Sequence, residues 1–89
     1  MSIAIGSSGN AQGNYSTAIG FGTTALGINV IAIGNGAGAN SETTDGIFIG
    51  ANTHSWKTYG TSVIAIGYNA FAGNKYSIAI GPMAHSFGV

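Results

Sequence analysis

The sequence predicts an all-β fold, a parallel β-solenoid of about six repeats of about fourteen residues each. Three observations predict it. The tripeptide Ala-Ile-Gly recurs along the 89-residue chain, glycine is unusually frequent at 16 residues, and isoleucine alternates with alanine before the recurring glycines. A sequence motif that returns at a fixed spacing is typical of repeats that stack into a solenoid.

The recurring glycine that ends each copy of the motif, here called the closing glycine, sets the period. The closing glycines are Gly6, Gly20, Gly34, Gly50, Gly67 and Gly81. Their spacing is constant except for two longer steps, from Gly34 to Gly50 and from Gly50 to Gly67, and the fourth copy is the variant Phe48-Ile49-Gly50. We therefore expect residues 1–89 to form a single repeat domain, with lengthened repeats around 40–46 and 53–63.

Each repeat reads as two short strands joined by two turns. Ile3-Ala4-Ile5 has the period of a strand, in which successive side chains point to opposite faces. Clusters of glycine and asparagine follow at turn positions, where a positive φ is easily adopted. A glycine every six or seven residues disfavours helix, because each costs roughly 1 kcal/mol there relative to alanine. Stacked repeats should place equivalent isoleucines ~4.8 Å apart as parallel neighbours.

The Ile-Ala-Ile pattern is apolar on both faces, and a strand of that kind is normally buried on both faces. One face can line the interior of the coil, and the other needs a second layer that this chain does not supply. We expect the alanine row to allow close approach between subunits, which indicates a homo-oligomer. The residues expected to form the core of the repeats are Ile5, Ile19, Ile33, Ile49, Ile66 and Ile80.

Composition excludes several classes of protein. Only 4% of the residues are charged, their sum is zero, and the chain has no cysteine. A basic nucleic-acid binder, a disulfide-stabilised domain and a disordered chain are therefore not expected. No apolar stretch is long enough to span a bilayer, and the residues that begin the sequence lack the pattern of a signal peptide.

The motif resembles the head repeat of trimeric autotransporter adhesins of the YadA type. Ile3-Ala4-Ile5-Gly6, then Ala11-Gln12-Gly13 and then Ser16-Thr17-Ala18-Ile19-Gly20 carry the resemblance, which extends over nearly the whole chain. It implies a left-handed parallel β-roll, three identical chains in one head, and display outside a bacterial cell. It further implies a non-enzymatic head or shaft module that attaches the bacterium to a protein or glycan receptor on host surfaces. Phage tail fibres carry similar repeats, so a receptor-binding or structural segment of a phage fibre is the alternative.

The lengthened repeats contain the residues best suited to recognition. Extra residues in a solenoid leave the stack as loops on one side, which is often the binding face. The predicted receptor-binding residues are His54, Trp56, Lys57 and Tyr59. Exposed aromatic rings are good anchors for a partner, although Trp56 could instead pack over a widened coil.

The sequence gives less support to catalysis, metal binding or ice binding than to receptor binding. Glu42 and Asp45 are the only carboxylates and could serve a polysaccharide-cleaving spike, but solvated loop charges are the simpler interpretation. His54 and His85 could each gather around a three-fold axis as metal ligands, yet neither has a second ligand nearby in sequence. The threonines form no regular row of the kind expected for ice binding. We therefore predict no enzyme activity, no metal site and no cofactor.

Overall fold

The structure, a computed structural model, describes residues 1–39, 43–55 and 61–86. Within these ranges it contains twelve short β-strands and no helix. In chain order the strands are β1 (Ser2–Ile5), β2 (Asn10–Ala11), β3 (Ser16–Ile19), β4 (Thr24–Ala25), β5 (Ile31–Ile33), β6 (Gly38–Ala39), β7 (Ile47–Ile49), β8 (His54–Ser55), β9 (Ile64–Ile66), β10 (Phe71–Ala72), β11 (Ile78–Ile80) and β12 (His85–Ser86).

The chain alternates between a long sheet and a wall of short strands. Odd-numbered strands form the six-stranded long sheet in the order β1-β3-β5-β7-β9-β11, and even-numbered strands form two sheets, β2-β4-β6 and β8-β10-β12. Every pairing between these strands is parallel. At the junction of the two short sheets, the Gly38 N–H donates to the Thr53 carbonyl at 3.0 Å. The result is a β-solenoid of about five turns, which confirms the predicted fold class.

The register of the long sheet follows the closing glycines. The central positions of its strands lie on one another in the order Ala4, Ala18, Ala32, Phe48, Ala65 and Ala79. Each of these residues stands two positions before a closing glycine, so the central residues and the closing glycines have the same spacing along the chain. Each repeat is therefore one coil, and the longer repeats keep the stacking of the strands on either side.

Two rows of residues with positive φ turn the chain between the sheets. The post-strand corner, which follows each long strand, contains Ser8, Gly22, Gly36, Asn52, Asn69 and Met83. The pre-strand corner, which precedes each long strand, contains Tyr15, Asn29, Asp45, Ser62 and Tyr76. Backbone hydrogen bonds continue through both corners: the Asn29 N–H donates to the Asn14 carbonyl at 3.0 Å, and the Gly22 N–H donates to the Ser7 carbonyl at 2.9 Å. The turns are thus bonded from coil to coil in the same way as the strands.

The closing glycines are required by the contact between coils. Gly20 has a φ of +129°, and a Cβ built on it would lie 2.9 Å from the carbonyl oxygen of Gly34 in the next coil. The corresponding distance from Gly6 to the Gly20 oxygen is 2.6 Å. A side chain at this position would both strain the backbone and push neighbouring coils apart, which explains why the motif always ends in glycine.

The interior of the solenoid is lined by alanine rather than isoleucine. The buried apolar residues include Ala18, Ala25, Ala32, Ala37, Ala65, Ala70, Ala72 and Ala79, together with Val30, Val63 and Phe48. The isoleucines of the long sheet point away from this core, and those that are exposed are Ile3, Ile5, Ile31, Ile49, Ile78 and Ile80. Alanine therefore occupies most of the space between the sheets, and Val30, Val63 and Phe48 are the larger apolar side chains within it.

This arrangement corrects the sequence-based assignment of the two faces. Of the residues expected to form the repeat core, Ile5, Ile49 and Ile80 are exposed, and Ile19, Ile33 and Ile66 are only partly buried. The alanine row, expected to face another subunit, is the row that fills the coil. The face that lacks a second layer is therefore the isoleucine face.

Phe48 is the largest fully buried side chain and stands where the other coils have alanine. The two lengthened steps of the stack, from Ala32 to Phe48 and from Phe48 to Ala65, lie immediately before and after it in the sequence. Gly46 provides part of the space, since a Cβ on it would lie 2.7 Å from the Cε2 atom of Phe48. Phe48 and Gly46 therefore fit each other, a large side chain beside a position that has none.

Candidate functional site

Of the four predicted receptor-binding residues, one can be placed. His54 begins β8 and is exposed on the outward face of the short sheet. Trp56, Lys57 and Tyr59 lie outside the described residues, so the choice between packing and recognition for Trp56 stays open. The described residues on either side of them belong to the short sheet and to the pre-strand corner.

His54 belongs to a cluster of three aromatic rings. In the parallel sheet β8-β10-β12, Phe71 pairs with His54 on one side and with His85 on the other. The centroid of the Phe71 ring lies 4.5 Å from that of His54 and 5.7 Å from that of His85. Phe71 is only 7% exposed, whereas both histidines are exposed. We call His54, Phe71 and His85 the ring cluster.

The orientation of His54 is fixed by the backbone. Its Nδ1 lies 3.0 Å from the carbonyl oxygen of Asn52, which can accept a hydrogen bond from Nδ1–H but cannot donate one. The contact assigns the proton of the neutral ring to Nδ1, so that Nε2 is the acceptor nitrogen. The Phe71 ring packs against one side of the imidazole, so the imidazole has little freedom to rotate. A preset ring can contact a partner without losing much further conformational entropy.

No local sequence motif connects Phe71 and His85 with His54. Each of these residues stands four positions after the closing glycine of its coil. The equivalent positions in the first three coils are Asn10, Thr24 and Gly38, which are polar or lack a side chain. Superimposing the repeats on their closing glycines would have placed the three rings in one row. The signal was therefore present in the sequence.

Three of the four residues named for catalysis or metal binding, Asp45, His54 and His85, lie among the described residues. His54 and His85 lie two strands apart, roughly 9.6 Å at the usual spacing, with Phe71 between them. No group of three or more His, Cys, Asp or Glu residues comes together in the described part of the chain. Asp45 is exposed and accepts a hydrogen bond from the Asn29 amide at 3.0 Å, while Glu42 lies outside the described residues.

The described surface is flat and nearly uncharged. No pocket is found on it, and its only charged side chains are those of Asp45 and Lys75, both exposed. No helix within the described ranges is long and apolar enough to cross a membrane.

Comparison with known proteins gives one match. A family model described as the YadA head domain repeat (2 copies) matches residues 1–23, 11–37 and 60–84. Together these stretches cover more than two thirds of the chain, and each contains at least one complete Ala-Ile-Gly motif. No match was found among curated proteins or among solved structures.

Proposed function

Because the chain belongs to the family of YadA head domain repeats, we propose that it is a head or shaft module of an extracellular trimeric adhesin that attaches a bacterium to host surfaces. In this role it is not an enzyme, and it acts by displaying a rigid surface at the outside of the cell. Residues 1–89 form one β-roll domain, in which the repeats around 40–46 and 53–63 are lengthened. The family match and the repeat architecture support this proposal.

The outward rows of isoleucine carry the trimeric part of the proposal. Two parallel rows run along the long sheet, and each of their members is exposed or only partly buried in the single chain. Only Thr17 interrupts them with a polar side chain. Contiguous apolar surface on this scale marks an interface in soluble proteins. Three copies with their isoleucine faces directed at a common axis cover this surface completely.

The same arrangement places the short sheets on the outside of the trimer. The ring cluster then lies on the outer wall of the head, next to the segment that contains Trp56, Lys57 and Tyr59. We assign receptor contact to His54 together with these three residues, and the fixed position of the His54 ring supports the assignment. A trimer presents the surface three times, so weak individual contacts add up to firm attachment by avidity.

An adhesion assay tests the proposal. Beads coated with the purified chain should bind to cultured epithelial cells, and His54→Asn should reduce the number of bound beads severalfold. Asparagine is compatible with this row, since Asn10 occupies the equivalent position. Thr24→Asn, in the same outward row but outside the ring cluster, is the matched control and should bind like the native chain.

Two results would contradict the proposal separately. Native beads that bind no better than uncoated beads would reject attachment to these cells. Native binding that survives His54→Asn unchanged would reject His54 as a receptor contact while leaving attachment itself in place.

A further inference from the structure

The pre-strand corner holds two tyrosines in a conformation that bulky residues rarely adopt. Tyr15 has a φ of 60° and Tyr76 a φ of 61°. The left-handed region favours glycine, asparagine and aspartate, and Asn29 and Asp45 occupy other positions of the same row. Asparagine would therefore suit both tyrosine positions better on backbone grounds alone.

Burial within one chain does not compensate for this preference. The Tyr15 side chain is 70% exposed and that of Tyr76 is 65% exposed, so neither gains much by burial. A residue held in an unfavourable conformation without local benefit indicates a role in contact with another molecule. The two rings lie beside the isoleucine face, at the beginning of β3 and close to the beginning of β11.

The opposite corner offers matching rings. Phe21 and Tyr68 each follow a closing glycine directly, at the other edge of the isoleucine face, and are 62% and 56% exposed. Tyr15 and Phe21 stand at the two ends of the same strand, β3. Tyr68 follows β9, the strand paired with β11, and Tyr76 precedes β11. Height here means position along the solenoid axis. Each tyrosine of the pre-strand corner therefore has an aromatic ring at the opposite corner whose height differs from its own by at most about one strand spacing.

Resting on the trimer proposed above, we infer that these four exposed rings form the seam between subunits. In a closed ring of three copies the contact is heterologous, so one edge of the isoleucine face meets the opposite edge of the next copy. Rotation about the axis leaves heights unchanged. Tyr15 then contacts Phe21 of the next copy, and Tyr76 contacts Tyr68 of the next copy. Offset or edge-to-face packing of such rings adds to the stability of the seam beyond the burial of area.

Cysteine pairs test the seam directly, because the chain has no cysteine of its own. In Tyr15→Cys/Phe21→Cys the two residues of one chain lie at opposite ends of β3, roughly 20 Å apart, too far for a disulfide. Mild oxidation should nevertheless link the copies covalently, giving dimers and trimers on a denaturing gel that disappear on reduction. In the control Tyr15→Cys/Tyr68→Cys, the partner positions differ in height by three strand spacings, about 14 Å, and no linked species should form.

A second pair of variants separates the seam from local backbone effects. Tyr15→Asn and Ser62→Asn both place asparagine at a pre-strand corner position with positive φ. Tyr15→Asn should raise the concentration at which the trimer dissociates at least tenfold, and Ser62→Asn should leave it unchanged. A native trimer that forms no link in Tyr15→Cys/Phe21→Cys and tolerates Tyr15→Asn overturns the seam alone. A native chain that stays monomeric overturns the proposed trimer, and the seam with it.

Discussion

Gly13 and Gly22 are both turn glycines, but the structure requires them for different physical reasons. A Cβ built on Gly13 would lie 1.9 Å from the carbonyl oxygen of Gly27 in the next coil, and its φ is not in the left-handed region. A Cβ built on Gly22 would meet nothing within 4 Å, yet its φ is +67°. The pair therefore separates the cost of crowding between coils from the cost of backbone conformation.

The expected costs differ severalfold. In Gly13→Ala the Gly27 oxygen must move from 1.9 Å to an ordinary contact of at least 3.4 Å. That displacement also stretches the bonds that Gln12 and Gly13 donate to the Ala25 carbonyl, now 3.1 and 3.3 Å long. Overpacking of about 1–3 kcal/mol and two weakened hydrogen bonds of about 1 kcal/mol each give a loss of about 3–5 kcal/mol. Gly22→Ala should lose only about 1 kcal/mol, since a left-handed cost of about 1–2 kcal/mol is partly offset by a stiffer unfolded chain.

Urea unfolding followed by circular dichroism measures both values. A chain of this length has a total stability of about 4–13 kcal/mol, so Gly13→Ala should bring it close to unfolding in water while Gly22→Ala remains folded. All samples need the same protein concentration, because association contributes to the apparent stability. Free energies of unfolding for the two variants within about 1 kcal/mol of each other would refute the argument that direct backbone contact between coils fixes the glycine positions.

Three further predictions concern the core, the buried hydroxyls and the outer isoleucine rows. Phe48→Ala should lower the free energy of unfolding by about 3–5 kcal/mol in urea melts, because it empties the largest buried site; a loss below about 1 kcal/mol would contradict the packing role of Phe48. Ser16→Ala should cost about 1–3 kcal/mol, since the buried Ser16 hydroxyl donates to the Gly13 carbonyl at 2.7 Å; unchanged unfolding would show that this bond contributes nothing. Ile31→Asp should keep the strand signal in circular dichroism but shift the mass in light scattering from that of three chains to that of one chain, 8.8 kDa; a persistent trimer would exclude the isoleucine face as the interface.

The order and register of the coils could be read from the sequence because the closing glycines record contacts between backbones. Only glycine fits at positions 6 and 20, because the backbone of the next coil passes so close that a Cβ atom there would clash with it. Their spacing therefore carried the register of the whole long sheet, including the two lengthened steps on either side of Gly50. A steric requirement on the main chain can be recognised in the sequence, because only glycine satisfies it.

The orientation of the strands could not be read in the same way, because Ile-Ala-Ile is apolar on both faces. Hydrophobicity alone favours the larger residue for the interior, whereas the structure places the alanine row there. Thr17 was the available clue, since a hydroxyl in the isoleucine row indicates the outward face. Phe48 was the opposite clue: it is the one large side chain in the inward row, and the coils around it are longer.

The ring cluster required a comparison between coils that a linear scan does not make. His54 and His85 are far apart in sequence and lie in different repeats. Parallel stacking places Phe71 between them, and three ordinary residues then form one surface. The function of a solenoid surface is thus a property of columns across coils rather than of any local motif.

Hydrogen bonds that run from coil to coil also determine how the molecule responds to force. Tension along the stack loads these bonds in series, so the outermost coil should open first while the others remain folded. One opened coil gives up ~4.8 Å of folded height and releases about fourteen residues, which extend to roughly 46–50 Å. In the adhesin proposed above, each fibre would therefore act as an extensible spring that dissipates a pulling force one coil at a time instead of breaking at a single threshold.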